Sequence, residues 1–191
     1  MEPEVGPADY KRLQRREAPR VARFLSFSCF RNQPFLRSTI ACEWLVNAMA
    51  LARRTHQCKL LAWAAMPTHV HLLIAPWSDA SAVPLILRTL KQSVARRAVA
   101  FAREHRPATL LRMADEHQGR VTYRFWQRGG GYDRTLTNAA TIANAIDYIH
   151  LNPVRDGLCQ RPEDWVWSSA QEHLKIRRDF LDMDLNVIPL H

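Results

Sequence analysis

Hydrophobic residues recur along the chain in two spacings, and each spacing predicts its own type of element. Apolar residues three or four positions apart predict helices over residues 39–54 and 84–104. Shorter apolar stretches predict strands over residues 20–30 and 121–126, and a pair of strands within residues 59–76. A last helix is predicted to open at Thr137 and to stop at Asn152, because the following proline disfavours helical geometry in the residue before it.

The order of these elements is strand, helix, strand, strand, helix, strand, helix. This order predicts an α+β fold, a ferredoxin-like antiparallel sheet whose helices return to one face. A fold of this kind serves many activities, so function has to be inferred from individual residues.

Composition divides the chain into three parts. Residues 1–20 hold three prolines and a basic run that includes Arg15 and Arg16, and they predict a basic N-terminal arm. Residues 21–158 carry the predicted strands and helices and form the predicted domain. Residues 159–191 form a C-terminal extension with a Trp-rich segment and a charged end.

Net charge indicates a polyanionic partner. The 191 residues include 27 Lys and Arg against 18 Asp and Glu, a formal net charge of +9. Each phosphate that a basic side chain neutralises releases condensed counterions, so this excess favours nucleic acid. The helix predicted over residues 84–104 concentrates the charge, although a solvated basic face is the alternative. Its candidate DNA-binding residues are Arg88, Lys91, Arg96 and Arg97.

The composition, 47% hydrophobic and 24% charged, is that of a globular protein. The longest apolar run, residues 60–66, is far shorter than the ~20 residues of a membrane-spanning helix. The N-terminus lacks the basic-then-apolar order of a signal peptide, so we expect a cytoplasmic protein with no membrane partner. The four cysteines show no CxxC spacing and are expected to be reduced.

Two histidines, His69 and His71, lie two positions apart in a predicted strand. Residues i and i+2 of a strand point to the same face, so both imidazoles can reach one divalent ion and leave coordination positions open. The HxH pattern alone is weak, and two half-buried strand histidines without a metal are the alternative.

Tyr148 and Asn152 are four positions apart in the last predicted helix and therefore share one face. They lie on a polar stripe beside the apolar one, which favours function over a tyrosine of the core. A tyrosine hydroxyl is a competent nucleophile, and a cation between the histidines could polarise a scissile phosphate. Asn152 could supply a third ligand through its carbonyl oxygen. Attack by Tyr148 would then leave a 5′-phosphotyrosine and a free 3′ hydroxyl.

Four segments in order, MPTHVHLLI, FWQRGGGYDR, YIHLNPVRDGL and WVWSSA, lie within residues 20–170. They resemble the single-tyrosine HUH transposases of small bacterial insertion sequences, in particular the REP-associated tyrosine transposases. The resemblance implies the HUH endonuclease type of ferredoxin-like fold, metal ligands at His69, His71 and Asn152, and a nucleophile at Tyr148. It also implies Mg²⁺ or Mn²⁺ and, as substrate, single-stranded DNA with a hairpin formed by a palindromic repeat. Relatives act as homodimers or as monomers.

Some residues depart from the family pattern or have two interpretations. Relatives often carry Asp-His where this chain has Asp133-Arg134, and Asp133 is interpreted as a helix-start residue or as a partner of a histidine. Arg155 could contact phosphate or neutralise the end of its helix. Tyr123 and Tyr132 are the other tyrosines near the site, but neither has an Asn at the same spacing. Three tryptophans could stack on bases or pack internally: Trp126, Trp165 and Trp167.

Two other functions remain open. A protein that binds hairpin DNA or RNA without cutting it would need the charge but not the tyrosine, and the aromatic RNA-binding signature of ferredoxin-like sheets is missing. A replication or conjugation nickase would use the same chemistry, although such proteins usually need further domains.

Overall fold

The computed structural model describes residues 21–76, 82–176, 181, 183 and 184. Short 3-10 turns lie at Phe30–Asn32, Phe35–Arg37 and Pro162–Asp164. The strands are β1 (Ala22–Ser28), β2 (Cys58–Ala65), β3 (His69–Pro76), β4 (Ala114–His117), β5 (Arg120–Tyr123) and β6 (Tyr132–Leu136). The helices are α1 (Thr39–His56), α2 (Val83–His105), α3 (Pro107–Met113), α4 (Ala139–Arg155) and α5 (Ala170–His173).

Four strands form one antiparallel sheet in the order β2-β3-β1-β6. This is the ferredoxin-like order, in which β1 and β3 lie inside and the second and last strands form the edges. The predicted fold class is therefore confirmed.

Helices cover both faces of the sheet, which corrects the expectation of one face. α1 and α2 pack over residues such as Leu25, Trp63 and Leu72. α4 packs over the other face, on Leu73 and Leu136. The reason lies in the strands themselves: residues 60–66 and 70–76 are buried without interruption, so their apolar side chains need a cover on each side.

The fourth strand of the sheet is Tyr132–Leu136, and the prediction that residues 121–126 supply it is wrong. β5 instead pairs with β4 in a separate two-stranded ribbon. The ribbon turns at Gln118 and Gly119, which both have positive φ, as a tight hairpin requires. The sequence pattern does not predict β6, because it is a short edge strand. Only Asp133 and Leu136 of this strand are buried, so it lacks a regular apolar alternation.

α4 continues through Pro153 to Arg155, so the predicted stop at Asn152 is also wrong. A proline removes one hydrogen-bond donor, but its carbonyl and those of its neighbours still accept. Here the Leu158 amide donates to the Pro153 carbonyl at 2.8 Å, and the Asp156 amide donates to the Asn152 carbonyl at 3.0 Å. These bonds complete the last turn.

The C-terminal extension packs along β2. Trp165 Nε1 donates to the Ala65 carbonyl at 3.0 Å, and the Ser169 amide donates to the Trp63 carbonyl at 3.0 Å. Further on, the Asp184 carboxylate accepts from Arg53. The division into arm, domain and extension stays a prediction, and Arg15 and Arg16 of the arm lie outside the described residues.

Within the described ranges, no helix combines the length and the apolar character needed to cross a membrane. Cys29, Cys42, Cys58 and Cys159 are free thiols. Burial raises the pKa of Cys29 and of Cys42 to about 12, which suits a packing role.

Candidate functional site

β3 presents His69 and His71 on the face that α4 covers. Alternate residues of the strand point to opposite faces, so the histidines share a side with Leu73, while Val70 points into the other core. The two Nε2 atoms lie 3.0 Å apart. His71 is 6% exposed, whereas His69 is half-buried at the open end of the strand.

Both imidazoles are held neutral. The pKa of His71 is lowered to about 4, chiefly by burial and in addition by the neighbouring His69, while a hydrogen bond with Asn152 acts in the opposite direction. Burial also lowers the pKa of His69, against the attraction of Asp156. Near neutral pH each ring therefore keeps a nitrogen lone pair that a cation could use.

α4 places Tyr148 and Asn152 beside these rings. The Tyr148 ring centroid lies 5.5 Å from that of His71 and 5.8 Å from that of Phe24. Asn152 is buried, and its Nδ2 donates to the Tyr148 carbonyl at 2.9 Å, a contact that fixes the amide on the histidine side of the helix. Tyr148 is 42% exposed. The structure thus brings the four predicted active-site residues together.

The donor set fits a divalent cation with open positions. The two Nε2 atoms lie within hydrogen-bonding distance of each other, at 3.0 Å, and are close enough together that both could reach one cation. Among the described residues no group of three or more His, Cys, Asp or Glu side chains could hold a metal, so a third protein ligand would be the Asn152 amide.

The two histidine rings differ in the hydrogen bonding of their Nδ1 atoms. His69 Nδ1 lies 3.1 Å from Thr68 Oγ1, the kind of contact that orients a metal-binding histidine. Nδ1 of His71 is buried and has no hydrogen-bond partner within the described part of the chain.

A cavity of about 550 Å³ opens beside Tyr148 and His71. Phe24 and Ser26 of β1 line it, together with Tyr132 and Arg134 of β6 and Asn144 of α4. Ser26, Asn144 and Arg134 offer polar atoms, and the rings offer apolar faces. The cavity therefore combines polar and apolar contacts.

A buried polar contact positions α4, and no local pattern of the sequence predicts it. His150 Nε2 lies 2.9 Å from Ser169 Oγ, and the Trp63 amide donates to the same Oγ at 2.9 Å. Burial lowers the pKa of His150 to about 3, so the ring is neutral. The WVWSSA segment belongs to the family resemblance, but only the fold shows that its second serine, Ser169, joins α4 to β2.

The predicted DNA-binding residues lie in different places. The Arg155 guanidinium carbon lies 5.3 Å from the Tyr148 ring centroid. Arg88 and Lys91 line a separate cavity of about 450 Å³ on the α2 side of the sheet. Arg96 and Arg97 are exposed on α2 and do not line the described cavities.

Asp133 is neither a helix-start residue nor a partner of a histidine, which corrects both interpretations. It lies within β6, and its Oδ1 accepts from Arg23 Nε at 3.0 Å, in a buried ion pair on the face away from the histidines. Tyr123 lies on the ribbon, away from the histidines. Trp126 and Trp165 donate through Nε1 to the backbone carbonyls of Lys91 and Ala65, so both indoles serve packing.

No family model matches the chain. A protein of Haemophilus influenzae, named provisionally as a REP-associated tyrosine transposase, is 26% identical over 110 residues, which cover 58% of this chain and 57% of that protein. The match thus spans a little over half of the relative's length.

Among solved structures, a REP-associated tyrosine transposase bound to a REP hairpin matches with a TM-score of 0.65 and 18% identity over 96% of each chain. A protein of Deinococcus radiodurans, named provisionally as a transposase, matches with a TM-score of 0.44 and 22% identity over 71% of this chain and 93% of that one. The first of these confirms the fold. The sequence similarity to the Haemophilus protein agrees with the resemblance to REP-associated tyrosine transposases that the four segments indicate.

Proposed function

We propose that this protein is a DNA strand transferase that cleaves and rejoins single-stranded DNA next to a hairpin, with Tyr148 as the nucleophile. One observation carries the proposal. A solvent-accessible tyrosine and a buried asparagine, one turn apart on α4, meet two neutral histidines whose Nε2 atoms converge to 3.0 Å. A tyrosine with only a packing role would not require two neutral histidines and a buried asparagine beside it.

The reaction exchanges one phosphodiester for another. The Tyr148 hydroxyl oxygen attacks the scissile phosphorus and loses its proton, and the bond from phosphorus to the 3′ oxygen breaks. The 3′ oxygen leaves with a proton, and the 5′ phosphate stays on the tyrosine. A 3′ hydroxyl can reverse the step on the same bond, so joining consumes no nucleotide cofactor.

We propose His69, His71 and Asn152 as the residues that hold a Mg²⁺ or Mn²⁺ ion. When bound, such an ion supplies charge that polarises the phosphate and stabilises the leaving oxygen. The chain's own residues do the positioning. Asn152 joins the tyrosine helix to the histidine pair, and Arg155 places a fixed positive charge beside the Tyr148 ring.

The proposed partner is single-stranded DNA with a palindromic hairpin, bound by a monomer or a homodimer in the cytoplasm. Support comes from the net charge of +9 and from the structural relative that is bound to a REP hairpin. Basic side chains on α2 and beside Tyr148 would contact the phosphates.

The test is a denaturing gel of the protein with labelled hairpin DNA taken from beside its own gene, with Mn²⁺ or with EDTA. We expect a protein–DNA adduct that needs the metal and is lost in Tyr148→Phe. Tyr132→Phe is the matched control, because Tyr132 lines the same cavity and should keep its adduct. An adduct of full yield in Tyr148→Phe contradicts the proposal.

The metal site is tested separately, by calorimetric titration of Mn²⁺ in the absence of DNA. His69→Ala and His71→Ala should each lose Mn²⁺ binding and adduct formation together. If both variants bind Mn²⁺ as the parent does, the proposed ligands are wrong even if Tyr148 is the nucleophile.

A second function, hairpin binding without cleavage, is favoured by one observation. Nδ1 of His71 lacks the supporting partner usual for a metal-ligating histidine, at least among the described residues. A complex that forms with hairpin DNA but never becomes covalent with Mg²⁺ or Mn²⁺ would favour this function.

A further inference from the structure

Three neighbouring cavities lie between the tyrosine site and α2, and together they are here called the edge groove. The cavity beside Tyr148 shares Ser26 and Tyr132 with a small cavity of about 230 Å³. That small cavity shares Lys91 and Arg128 with the cavity of about 450 Å³ on the α2 side. The edge groove therefore runs past the start of β6, from one face of the sheet to the other.

Charge in the edge groove has a single sign. No Asp or Glu is among the described residues that line its three cavities, whereas five cationic side chains are: Arg88, Lys91, Arg124, Arg128 and Arg134. The Asp115 carboxylate, which accepts from Arg124 and Arg128, is not one of the lining residues. Such a surface complements a chain of phosphates.

Tyr132 lies at the junction of two of these cavities and presents its ring to solvent. It is 50% exposed and contacts the edge of Phe24, with 5.8 Å between the ring centroids. Among the other aromatic residues that line the groove, Trp126 is buried at 5% exposure, Phe24 and Tyr123 are half-buried, and Tyr148 is 42% exposed at the tyrosine end. Tyr132 is thus the ring in the middle of the groove that a nucleobase could stack on.

The wall of the edge groove is held in place by hydrogen bonds. Lys91 Nζ donates to the Gly129 carbonyl at 2.9 Å, and the Gln127 amide donates to the Ser28 carbonyl at 2.9 Å. Gly131 lies so close to β1 that a Cβ there would be 2.1 Å from the Ser26 carbonyl oxygen. A wall built in this way needs little ordering when a strand binds.

We propose that the edge groove binds the single-stranded segment that adjoins the cleaved phosphate, with one base stacked on Tyr132 and phosphates near Arg88 and Arg128. The cationic lining favours single-stranded DNA over a protein segment, because DNA carries a phosphate at every nucleotide. A base that stacks on Tyr132 must be unpaired. The proposal rests on the proposed function for the position of the cleaved phosphate.

The test measures binding by fluorescence anisotropy, with Tyr148→Phe as the parent so that cleavage cannot interfere. The probes are one hairpin carrying single-stranded arms of increasing length, on its 5′ side in one series and on its 3′ side in the other. We expect one series to bind more tightly as the arm grows. Tyr132→Ala should reduce that gain in affinity by about tenfold. Tyr132→Phe should keep the gain, because stacking needs the ring and not the hydroxyl.

Arg88→Ala tests the charge at the far end of the edge groove. It should reduce the gain from the long arm and lower the slope of log affinity against log salt by about 0.7, the value for one lost contact to a single strand. Arg54→Ala is the matched control, since it removes the same charge from an exposed position on α1 that lines none of the three cavities. Arg54→Ala should leave the gain from the arm unchanged.

The outcomes separate the two proposals. If neither arm adds affinity, or if Tyr132→Ala and Arg88→Ala bind long and short arms as the parent does, the edge groove is not the strand-binding site, even when the parent with Tyr148 restored forms an adduct. If the gain in affinity from the long arm is reduced in Tyr132→Ala and Arg88→Ala but no adduct forms, the edge groove is supported as the strand-binding site and the proposed cleavage is contradicted.

Discussion

The guanidinium of Arg155 lies over the ring of Tyr148, with 5.3 Å from its central carbon to the ring centroid. The two residues are seven positions apart, two turns along α4, so they lie on the same face of the helix. α4 can place them so only because it continues past Pro153. A positive charge over an exposed ring stabilises the packing of that ring and leaves guanidinium donors free to meet an anion there.

Replacing Arg155 tests whether this charge serves the reaction or the helix end. Arg155→Ala should slow adduct formation at saturating DNA by about tenfold or more, because a charge-assisted contact to the reacting phosphate is lost. Arg155→Lys should restore part of the rate, since it keeps the charge but not the planar fork. Single-turnover kinetics on denaturing gels measures both. A rate in Arg155→Ala equal to that of the wild type would limit Arg155 to the helix end.

Ser169→Ala should weaken both stability and activity. The substitution leaves the His150 ring and the Trp63 amide without their shared oxygen, which should lower the free energy of unfolding by about 1–3 kcal/mol. Because His150 belongs to α4, the adduct should also form more slowly at a temperature where the variant is folded. Urea unfolding and adduct kinetics measure the two effects.

Ser168→Ala is the matched control for Ser169→Ala. Ser168 is equally buried, but its Oγ donates to the Trp165 carbonyl within its own segment, not to α4. It should affect stability without a comparable loss of rate. Equal loss of rate in both variants would contradict a positioning role of Ser169.

Two glycines of one loop should respond differently to alanine. Gly131→Ala forces a Cβ against the Ser26 carbonyl and should destabilise the fold by several kcal/mol or displace the start of β6. Gly129→Ala meets nothing within 4 Å and should cost only about 1 kcal/mol for its positive φ. Thermal unfolding of the two variants measures the difference. Equal effects would show that the loop does not lie against β1.

Stability should fall with acidity through His150. Its pKa is about 3 in the fold, against 6.5 for an ordinary histidine. Above about pH 6.5 the ring is neutral in both the folded and the unfolded protein. Below that pH the unfolded chain binds a proton at His150, whereas the folded protein keeps the ring neutral. The free energy of unfolding should therefore drop by up to about 1.4 kcal/mol per pH unit between pH 6.5 and about 3.

Urea titrations between about pH 7 and about pH 5 measure this slope before the carboxylates begin to titrate. His150→Gln keeps a polar contact to Ser169 but cannot ionise, and it should flatten the slope. His69, His71 and His173 add in the same direction, because burial lowers the pKa of each of them as well, so part of the slope should remain in His150→Gln. A slope that is unchanged in His150→Gln would contradict the assignment.

Local sequence patterns were sufficient to predict several elements of the fold. The apolar spacings predicted α1, α2 and the β2–β3 pair, because those segments are long and strongly patterned. The i, i+2 and i, i+4 spacings placed His69 with His71 and Tyr148 with Asn152, because strand and helix geometry act within a few residues. The fold class followed from the order of the elements.

Only the tertiary structure decided which strand closes the sheet, which face each helix covers, and that the two pairs of site residues meet. β6 is set by its pairing with β1, more than 100 positions away in the chain, and not by its own short pattern. The Arg23–Asp133 ion pair, the His150–Ser169 contact and the edge groove likewise join segments that are distant in sequence. Such contacts depend on how whole elements pack, and no local periodicity contains that information.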